Sequence, residues 1–242
     1  YWIYASGITE GMQTHSTGIR NLNFDQYKKI EVSFPPLLEQ QRIVRILDET
    51  FAGIAVARAN AEKNLQNARE VFESYLDLVF SESSDLWNNK KQLSYLTDPD
   101  SPITYGVVKP GSEGDVPFVR GGDLVNGRVL INQLRTITKE ISQQYRRTLL
   151  RGGELLISLV GQPGQVAVAP KELSGANIAR QVGLIRLQPN INANFIRLYL
   201  QSPIGQIALG AKQSGSVQQV INLSELRNIF VPTPPLSMQS KI

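Results

Sequence analysis

Five loops in the second half of the chain hold most of the side chains that could do chemistry. They span residues 104–111, 119–123, 161–165, 177–181 and 212–219, and all but one, 177–181, contain glycine. Their Arg, Lys, Gln, Asn, Ser and Tyr side chains match base edges and phosphate oxygens of nucleic acid, and glycine lets a backbone approach a ligand closely. For any single loop, turn formation and solvation are the simpler explanation. Their concentration in one basic region favours DNA as the ligand.

We expect lysines in these loops to hold phosphates, and glutamines and arginines to contact bases mainly. The predicted DNA-contact set has nine members: Tyr105, Lys109, Arg120, Gln162, Arg180, Lys212, Gln213, Ser216 and Gln218.

Motifs of the common DNA-modifying enzymes are missing from the sequence. It contains no Gly-x-Gly, no P-loop, no Asp/Asn-Pro-Pro-Tyr motif and no acidic-x-Lys triplet. A single histidine, His15, and the lack of cysteine provide neither a zinc site nor a catalytic thiol. We therefore predict a chain with no catalytic residues and no metal site.

Charge is distributed unevenly along the 242 residues. Residues 1–35 are neutral, residues 36–83 carry five basic and eight acidic groups, and residues 84–242 carry seventeen basic and ten acidic groups. A basic block attached to an acidic segment suits a polyanion-binding domain on a structural arm. The lack of cysteine, of an 18-residue apolar run and of a signal peptide indicates a cytoplasmic protein.

One sequence pattern occurs twice. Asn21-Leu22, Ile30, Pro35-Pro36-Leu37 and Gln40 return as Asn222-Leu223, Ile229, Pro234-Pro235-Leu236 and Gln239. The copies are 199 residues apart from Ile30 onward and 201 apart at the Asn-Leu pairs, which predicts two extra residues in the first copy. A repeat this long indicates two large similar halves rather than solenoid units. Together with the Tyr1-Trp2 start, it predicts a fragment holding one half and the tail of another.

A long amphipathic helix is predicted after Pro35-Pro36, from Leu37 to Glu82. Proline is tolerated in a first helical turn, and only Gly53 interrupts the segment. Apolar residues recur at coiled-coil spacing, so we expect a partner helix, in this fragment a second copy in an antiparallel homodimer. The predicted helix-pairing residues are Val44, Leu47, Phe51, Ile54, Leu65, Phe72 and Val79.

Residues 84–235 alternate short apolar runs with turns, which predicts one α+β domain. Strands are expected at 116–119, 129–131, 154–160, 165–169 and 182–187, and helices at 141–149 and 194–210. In the second helix, Phe195, Leu198, Tyr199, Ile207 and Leu209 are available for packing. The predicted order is thus the tail of a first domain (1–35), a long helix (36–83), a second domain (84–235) and the start of another helix (236–242).

These residues resemble the specificity subunits of type I restriction–modification systems. The resemblance rests on the run from Pro35 to Ile43 before the long helix, and on segments 103–108, 119–120, 153–158, 161–164, 176–180, 199–203 and 214–236 of a target recognition domain. It covers nearly the whole chain, except that most of the first recognition domain and the second helix are missing.

The resemblance implies a non-catalytic subunit that binds double-stranded DNA. Each recognition domain would read one half of a bipartite site, and the helices would space the domains and dock methyltransferase subunits, with restriction subunits in the full complex. No cofactor is implied in this chain; S-adenosylmethionine, ATP and Mg²⁺ are expected on partner subunits. Two other hypotheses stay open: a DNA methyltransferase or endonuclease acting alone, and a helical dimerisation module whose domain binds a ligand other than DNA.

Overall fold

The computed structural model describes residues 13–16, 19–31, 35–82, 89–210 and 220–241, which fall in two units, 1–65 and 66–242. In the first unit, strands β1 (Gln13–Ser16) and β2 (Ile19–Leu22) form an antiparallel hairpin, and helix α1 (Phe24–Tyr27) follows. The Asn23 side chain accepts the Gln26 N–H at 3.1 Å and so caps α1.

Helix α2 (Leu37–Glu82) has the predicted bounds. It begins after the proline pair, where the Pro36 carbonyl accepts the backbone N–H groups of Glu39 and Gln40. At about 1.5 Å per residue, its 46 residues extend roughly 69 Å. Ion pairs one turn apart, Arg42–Glu39 at 2.8 Å and Arg58–Glu62 at 2.9 Å, lie on its solvated faces, where each adds little to helix stability.

The second unit is built on a four-stranded antiparallel sheet in the order β10-β9-β12-β4. A three-stranded sheet, β11-β5-β8, lies beside it, with β11 parallel to β5. Two small antiparallel pairs, β6-β7 and β13-β3, complete the strands. The strands are β3 (Lys90–Gln92), β4 (Thr104–Tyr105), β5 (Val116–Val119), β6 (Leu124–Val125), β7 (Arg128–Val129), β8 (Arg135–Ile137), β9 (Leu155–Ser158), β10 (Val166–Val168), β11 (Asn177–Ile178), β12 (Val182–Ile185) and β13 (Phe230–Pro232).

Both faces of the four-stranded sheet are buried. Leu155 and Ile157 of β9 point into one core cluster, and Leu156 between them points into another, as expected from the two-residue period of a strand. The first cluster also contains Leu76 and Phe80 from the last turns of α2. The Phe80 ring packs edge-on against Phe195 and Tyr199, with centroid distances of 5.8 and 5.3 Å.

The helices of this unit are short. They are α3 (Lys139–Gln144), α4 (Ala193–Gln201), α5 (Pro203–Ala208), α6 (Leu223–Asn228) and α7 (Leu236–Gln239). The predicted helix 194–210 is two helices, because Ser202 leaves the helical conformation before Pro203 and caps α5 through Gly205 N–H at 3.1 Å. Ile207, predicted to pack, is 71% exposed, so that expectation was wrong.

Two other predicted elements are shorter than expected. The helix predicted at 141–149 is α3, which begins earlier at its Thr138 cap and gives way to a 3-10 turn at Arg146–Thr148. The strand predicted at 129–131 is β7, which ends at Val129 before a 3-10 turn. The α+β architecture with one long helix is confirmed.

The repeated pattern has matching local structure in its two copies. Asn23 caps α1 and Asn222 caps α6, and these residues are 199 apart, the spacing found from Ile30 onward. The first copy therefore has no two-residue insertion, and Asn23 rather than Asn21 is the counterpart of Asn222. In both copies, a glutamine side chain donates back to the proline carbonyl five residues earlier: Gln40 to Pro35 at 2.8 Å and Gln239 to Pro234 at 2.7 Å.

Candidate nucleic-acid interface

Four of the five predicted loops meet at neighbouring strand ends of the second unit. Backbone hydrogen bonds join them in series: Val107 N–H to Ile178 O at 2.8 Å, Ala179 N–H to Val119 O at 2.8 Å, and Leu159 N–H to Gln181 O at 2.7 Å. The loops carrying Tyr105, Arg120, Gln162 and Arg180 thus adjoin one another. We call this surface the loop face.

Gly106 allows the first of these loops to reach the others. A Cβ atom at this position would lie 1.8 Å from the carbonyl oxygen of Ile178, a separation that no side chain tolerates. The close crossing brings Tyr105, which is 44% exposed, next to the segment that carries Arg180. Arg180 is exposed, and within the described chain its side chain has no hydrogen-bond or ion-pair partner. Its guanidinium is therefore available to a ligand.

The turn carrying Gln162 is fixed from beneath by a buried hydroxyl. Ser158 Oγ donates to the Gln162 carbonyl and accepts the Gln165 N–H at 2.9 Å. Gly161 and Gly164 have φ values of +88° and +87°, which the tight turn requires and other residues rarely adopt. Gln206 also donates to the Gly164 carbonyl at 3.0 Å. The Gln162 side chain is exposed at the tip of a well-supported turn.

Arg120 is held by an acidic neighbour. Its Nε and Nη2 atoms donate to the Asp123 carboxylate at 3.2 and 2.8 Å, and its backbone N–H donates to the same group at 2.8 Å. The Asp123 side chain is only 5% exposed, and its hydrogen bond raises the pKa of Arg120 above the ordinary arginine value. Since Nη1 is not used in this pair, Arg120 can still donate to a base or phosphate.

The other five residues of the predicted DNA-contact set are Lys109 and four residues of the fifth loop. Lys109 is exposed and lies two residues beyond Val107 in the first loop. Lys212, Gln213, Ser216 and Gln218 lie outside the described residues. The described chain resumes at Val220, which pairs with Val160 at the edge of the Gln162 turn.

Gln181 was missed by the sequence prediction. It is exposed, follows Arg180, and lies 3.7 Å from the position of a Cβ on Gly121. Its place in the predicted fourth loop was the available signal. By contrast, Asn177 of that loop is fully buried and donates to the Tyr145 carbonyl at 3.3 Å, so its role is structural.

The predicted helix-pairing residues are mostly open to solvent in the single chain. Val44, Phe51, Ile54, Leu65 and Phe72 are 46–58% exposed, whereas Leu47 and Val79 are half-buried. An exposed apolar row of this length on one helix is typical of a surface that binds another helix.

Neither a metal site nor a membrane-spanning helix occurs among the described residues. No group of three His, Cys, Asp or Glu side chains there could hold a metal ion. No helix in the same part of the chain is both long and apolar enough to cross a membrane.

The chain is similar to known proteins of type I restriction–modification systems. The chain is 28% identical over 265 aligned positions to the Type I restriction enzyme EcoBI specificity subunit of Escherichia coli, covering 99% of this chain and 55% of that protein. Its fold is similar to a chain in a structure describing assembly and conformational transition of the type I R-M system. That match has 20% identity, a TM-score of 0.63, and coverage of 99% of this chain and 58% of the other.

The HsdS subunit from Thermoanaerobacter tengcongensis is a further structural match, at 20% identity and a TM-score of 0.52, with 96% of this chain and 57% of that chain covered. The chain therefore spans somewhat over half the length of these relatives. The family model for the type I restriction modification DNA specificity domain matches residues 2–65 and 109–242. Because that match includes most of the sequence, the chain belongs to the type I restriction modification DNA specificity domain family.

Proposed function

We propose that this chain is the DNA-recognition part of a type I specificity subunit and reads one half of a bipartite site. The observation that carries the proposal is the loop face, where Tyr105, Arg120, Gln162 and Arg180 adjoin on a domain with surplus positive charge. Their side chains can donate to base edges and phosphates from a rigid scaffold. The family membership supports the same ligand.

Binding competition with duplex DNA tests this proposal. The preferred half-site would first be selected from a random duplex library with the chain assembled on methyltransferase subunits. Gln162→Ala and Arg180→Ala should each cost about 1–3 kcal/mol on the selected site and little on unrelated DNA. Lys212→Ala should weaken binding to all sequences and lower the salt slope by about one unit. Lys63→Ala, on the face of α2 opposite the predicted helix-pairing residues, is the control. Unchanged affinity and sequence preference in both the Gln162 and the Arg180 variants would contradict the loop face.

For the partners, we propose that the exposed apolar row of α2 docks a helix. In the assembled complex that helix belongs to the specificity subunit or a methyltransferase subunit, and in the isolated chain it is α2 of a second copy. The row's exposure and the repeat of the Pro-Pro-Leu pattern, which opens α2 at Leu37 and α7 at Leu236, support this proposal.

We also propose that the chain has no catalytic activity and binds no cofactor. S-adenosylmethionine, ATP and Mg²⁺ would act on the partner subunits, because the nucleotide- and methyl-donor-binding motifs are missing from this sequence. Calorimetry of the isolated chain with S-adenosylmethionine and with ATP should give no binding heat. Micromolar binding of either compound would overturn the non-catalytic assignment and favour an enzyme acting alone.

A further inference from the structure

A cleft of about 430 Å³ opens beside strand β4 and is lined by four arginines. Arg146, Arg147, Arg151 and Arg186 surround it, together with Ser101 and Thr104. Three of these arginines come from the segment between α3 and β9, and the fourth directly follows β12. We call this the arginine cleft.

Arg186 has a structural role in the arginine cleft. Its Nη1 and Nη2 atoms donate to the carbonyls of Arg147 and Leu149 at 3.0 and 2.7 Å, which fixes the segment that carries the other arginines. The buried Glu154 lies 3.6 Å from Arg186 Nε and accepts the backbone N–H groups of Arg151 and Gly152. Glu154 thus balances Arg186 and is not available to the remaining guanidinium groups.

The other three arginines have no acidic partner. Arg146, Arg147 and Arg151 are exposed, and their side chains make no ion pair or hydrogen bond within the described residues. Asp100 is the one carboxylate in the lining, so these four residues together leave a surplus of two positive charges. Binding of an oxyanion stabilises guanidinium groups that share one cleft, because each of them can donate two hydrogen bonds to it.

The arginine cleft and the loop face lie at opposite ends of β12, where Arg186 follows the strand at one end and Gln181 precedes it at the other. Thr104 of β4 lines the cleft, whereas Tyr105, whose side chain points to the other face of that strand, belongs to the loop face. The two ends of β12 are three residues apart, which is about 10 Å at 3.3–3.4 Å per residue. This spacing is close to the roughly 12 Å width of the DNA major groove. Side chains that read bases at one end can therefore accompany phosphate contacts at the other.

We propose that the arginine cleft binds backbone phosphates of DNA and extends the interface from one end of β12 to the other, a proposal that rests on the proposed function. An acidic protein segment is the other possible ligand for unpaired arginines. Protein interfaces depend on buried aromatic or aliphatic anchors, whereas the apolar lining here is Leu149, Leu150 and Pro102, with both leucines already largely covered. The lining favours a polyanion without apolar groups.

The test is the salt dependence of duplex binding, measured with the chain assembled on methyltransferase subunits. The double variant Arg146→Gln/Arg147→Gln should weaken binding to the selected site and to unrelated DNA by the same factor. Its slope of log K against log salt should fall by about 1.8, since each neutralised phosphate contributes about 0.9. Arg146→Lys/Arg147→Lys should keep the slope. Arg151→Gln should independently lower it by about 0.9.

Arg128→Gln is the matched control, because Arg128 is an exposed arginine on β7, which lies against the opposite edge strand β10. Its slope should equal that of the wild type. If neither the double variant nor Arg151→Gln changes the slope, the arginine cleft does not bind phosphates and the proposal is overturned. Duplex binding by the wild-type assembly would still support the proposed function in that case. Loss of subunit assembly in these variants would assign the cleft to an acidic protein segment and also overturn the proposal. No duplex binding by the wild-type assembly would contradict the proposed function itself.

Discussion

Arg120 combines a structural contact with a position on the loop face. Arg120 forms an ion pair with Asp123, whose side chain is only 5% exposed. Removing Arg120 alone therefore leaves a buried carboxylate without its charged partner. We expect Arg120→Ala to lower both DNA affinity and the free energy of unfolding, the latter by about 1–3 kcal/mol. Urea unfolding and duplex binding, measured on the same preparation, check the two effects.

The double variant Arg120→Ala/Asp123→Ala separates these two effects. It removes both partners, so it should regain part of the lost stability while DNA affinity stays low. If the double variant binds DNA as the wild type does, Arg120 serves only to hold Asp123. Arg128→Ala, an exposed arginine outside the loop face, controls for the loss of one positive charge.

For single residues of the proposed interface, the sequence predicted the chemical type of the side chain but not its contacts. Arg120 and Gln162 were identified because their side chains suit bases and follow strand patterns. The ion pair between Arg120 and Asp123 was not predicted, because three-residue spacing in a glycine-containing loop does not determine whether two side chains meet. Arg146 and Arg147 were missed for a similar reason: only the fold brings Arg186 and Thr104 beside them.

The last turns of α2 are part of the domain core rather than of the exposed helix. Phe80 is 7% exposed and packs against Phe195 and Tyr199. Phe80→Ala should lower the free energy of unfolding by about 3–5 kcal/mol, because it removes a large side chain and leaves a cavity. Leu78→Ala, two residues away and 49% exposed, should cost much less. Equal costs in chemical denaturation would contradict this anchoring.

The exposed apolar row of α2 should control self-association of the chain. Leu65→Asp/Phe72→Asp places two charges on that row and should abolish helix pairing without unfolding the domain, since both residues are about half exposed. Asn67→Asp/Ser74→Asp adds the same charge outside the predicted seam and should leave pairing intact. Sedimentation velocity at tens of micromolar measures both. A wild-type chain that sediments as a monomer would show that the row does not pair α2 with itself.

At the element scale, the long helix and the central strands follow directly from the sequence. Proline opens α2, and the apolar runs of β9 and β12 are buried on both faces. The two-helix break at Ser202 was less predictable, because the periodicity of 194–210 continues across it. The Ser-Pro pair marks the break, since the residue before proline is biased against the helical conformation.

For the molecule as a whole, stability should decline in alkaline solution because of Tyr199. Burial raises the pKa of Tyr199 above its ordinary value of 10.0, and its hydroxyl donates to the Phe230 carbonyl at 3.2 Å. The folded state thus keeps the proton more tightly than the unfolded chain. This contribution is complete below pH 10.0 and is lost as pH rises through the folded pKa. Tyr199→Phe should flatten the alkaline arm of a stability–pH curve. An identical arm in both proteins would contradict this assignment.

At the scale of the whole molecule, the sequence repeat was the most informative feature. It predicted matching structure around Pro35 and Pro234, and the Gln40 and Gln239 hydrogen bonds confirm that likeness in detail. It did not predict that Gln239 Oε1 also accepts the Asn192 N–H at 2.8 Å, which ties α7 to the residue that caps α4. That contact joins residues 47 apart in sequence, and no local pattern encodes it.

The Gln162 turn has a consequence for how the chain can diverge in evolution. Its shape depends on Ser158, on backbone atoms and on two glycines, whereas the Gln162 side chain takes no part in holding it. Position 162 can therefore accept many different residues at little cost in folding free energy. Under the proposed function, a lineage would acquire a new base preference there by single substitutions, each intermediate remaining folded, while Ser158, Gly161 and Gly164 stay under purifying selection.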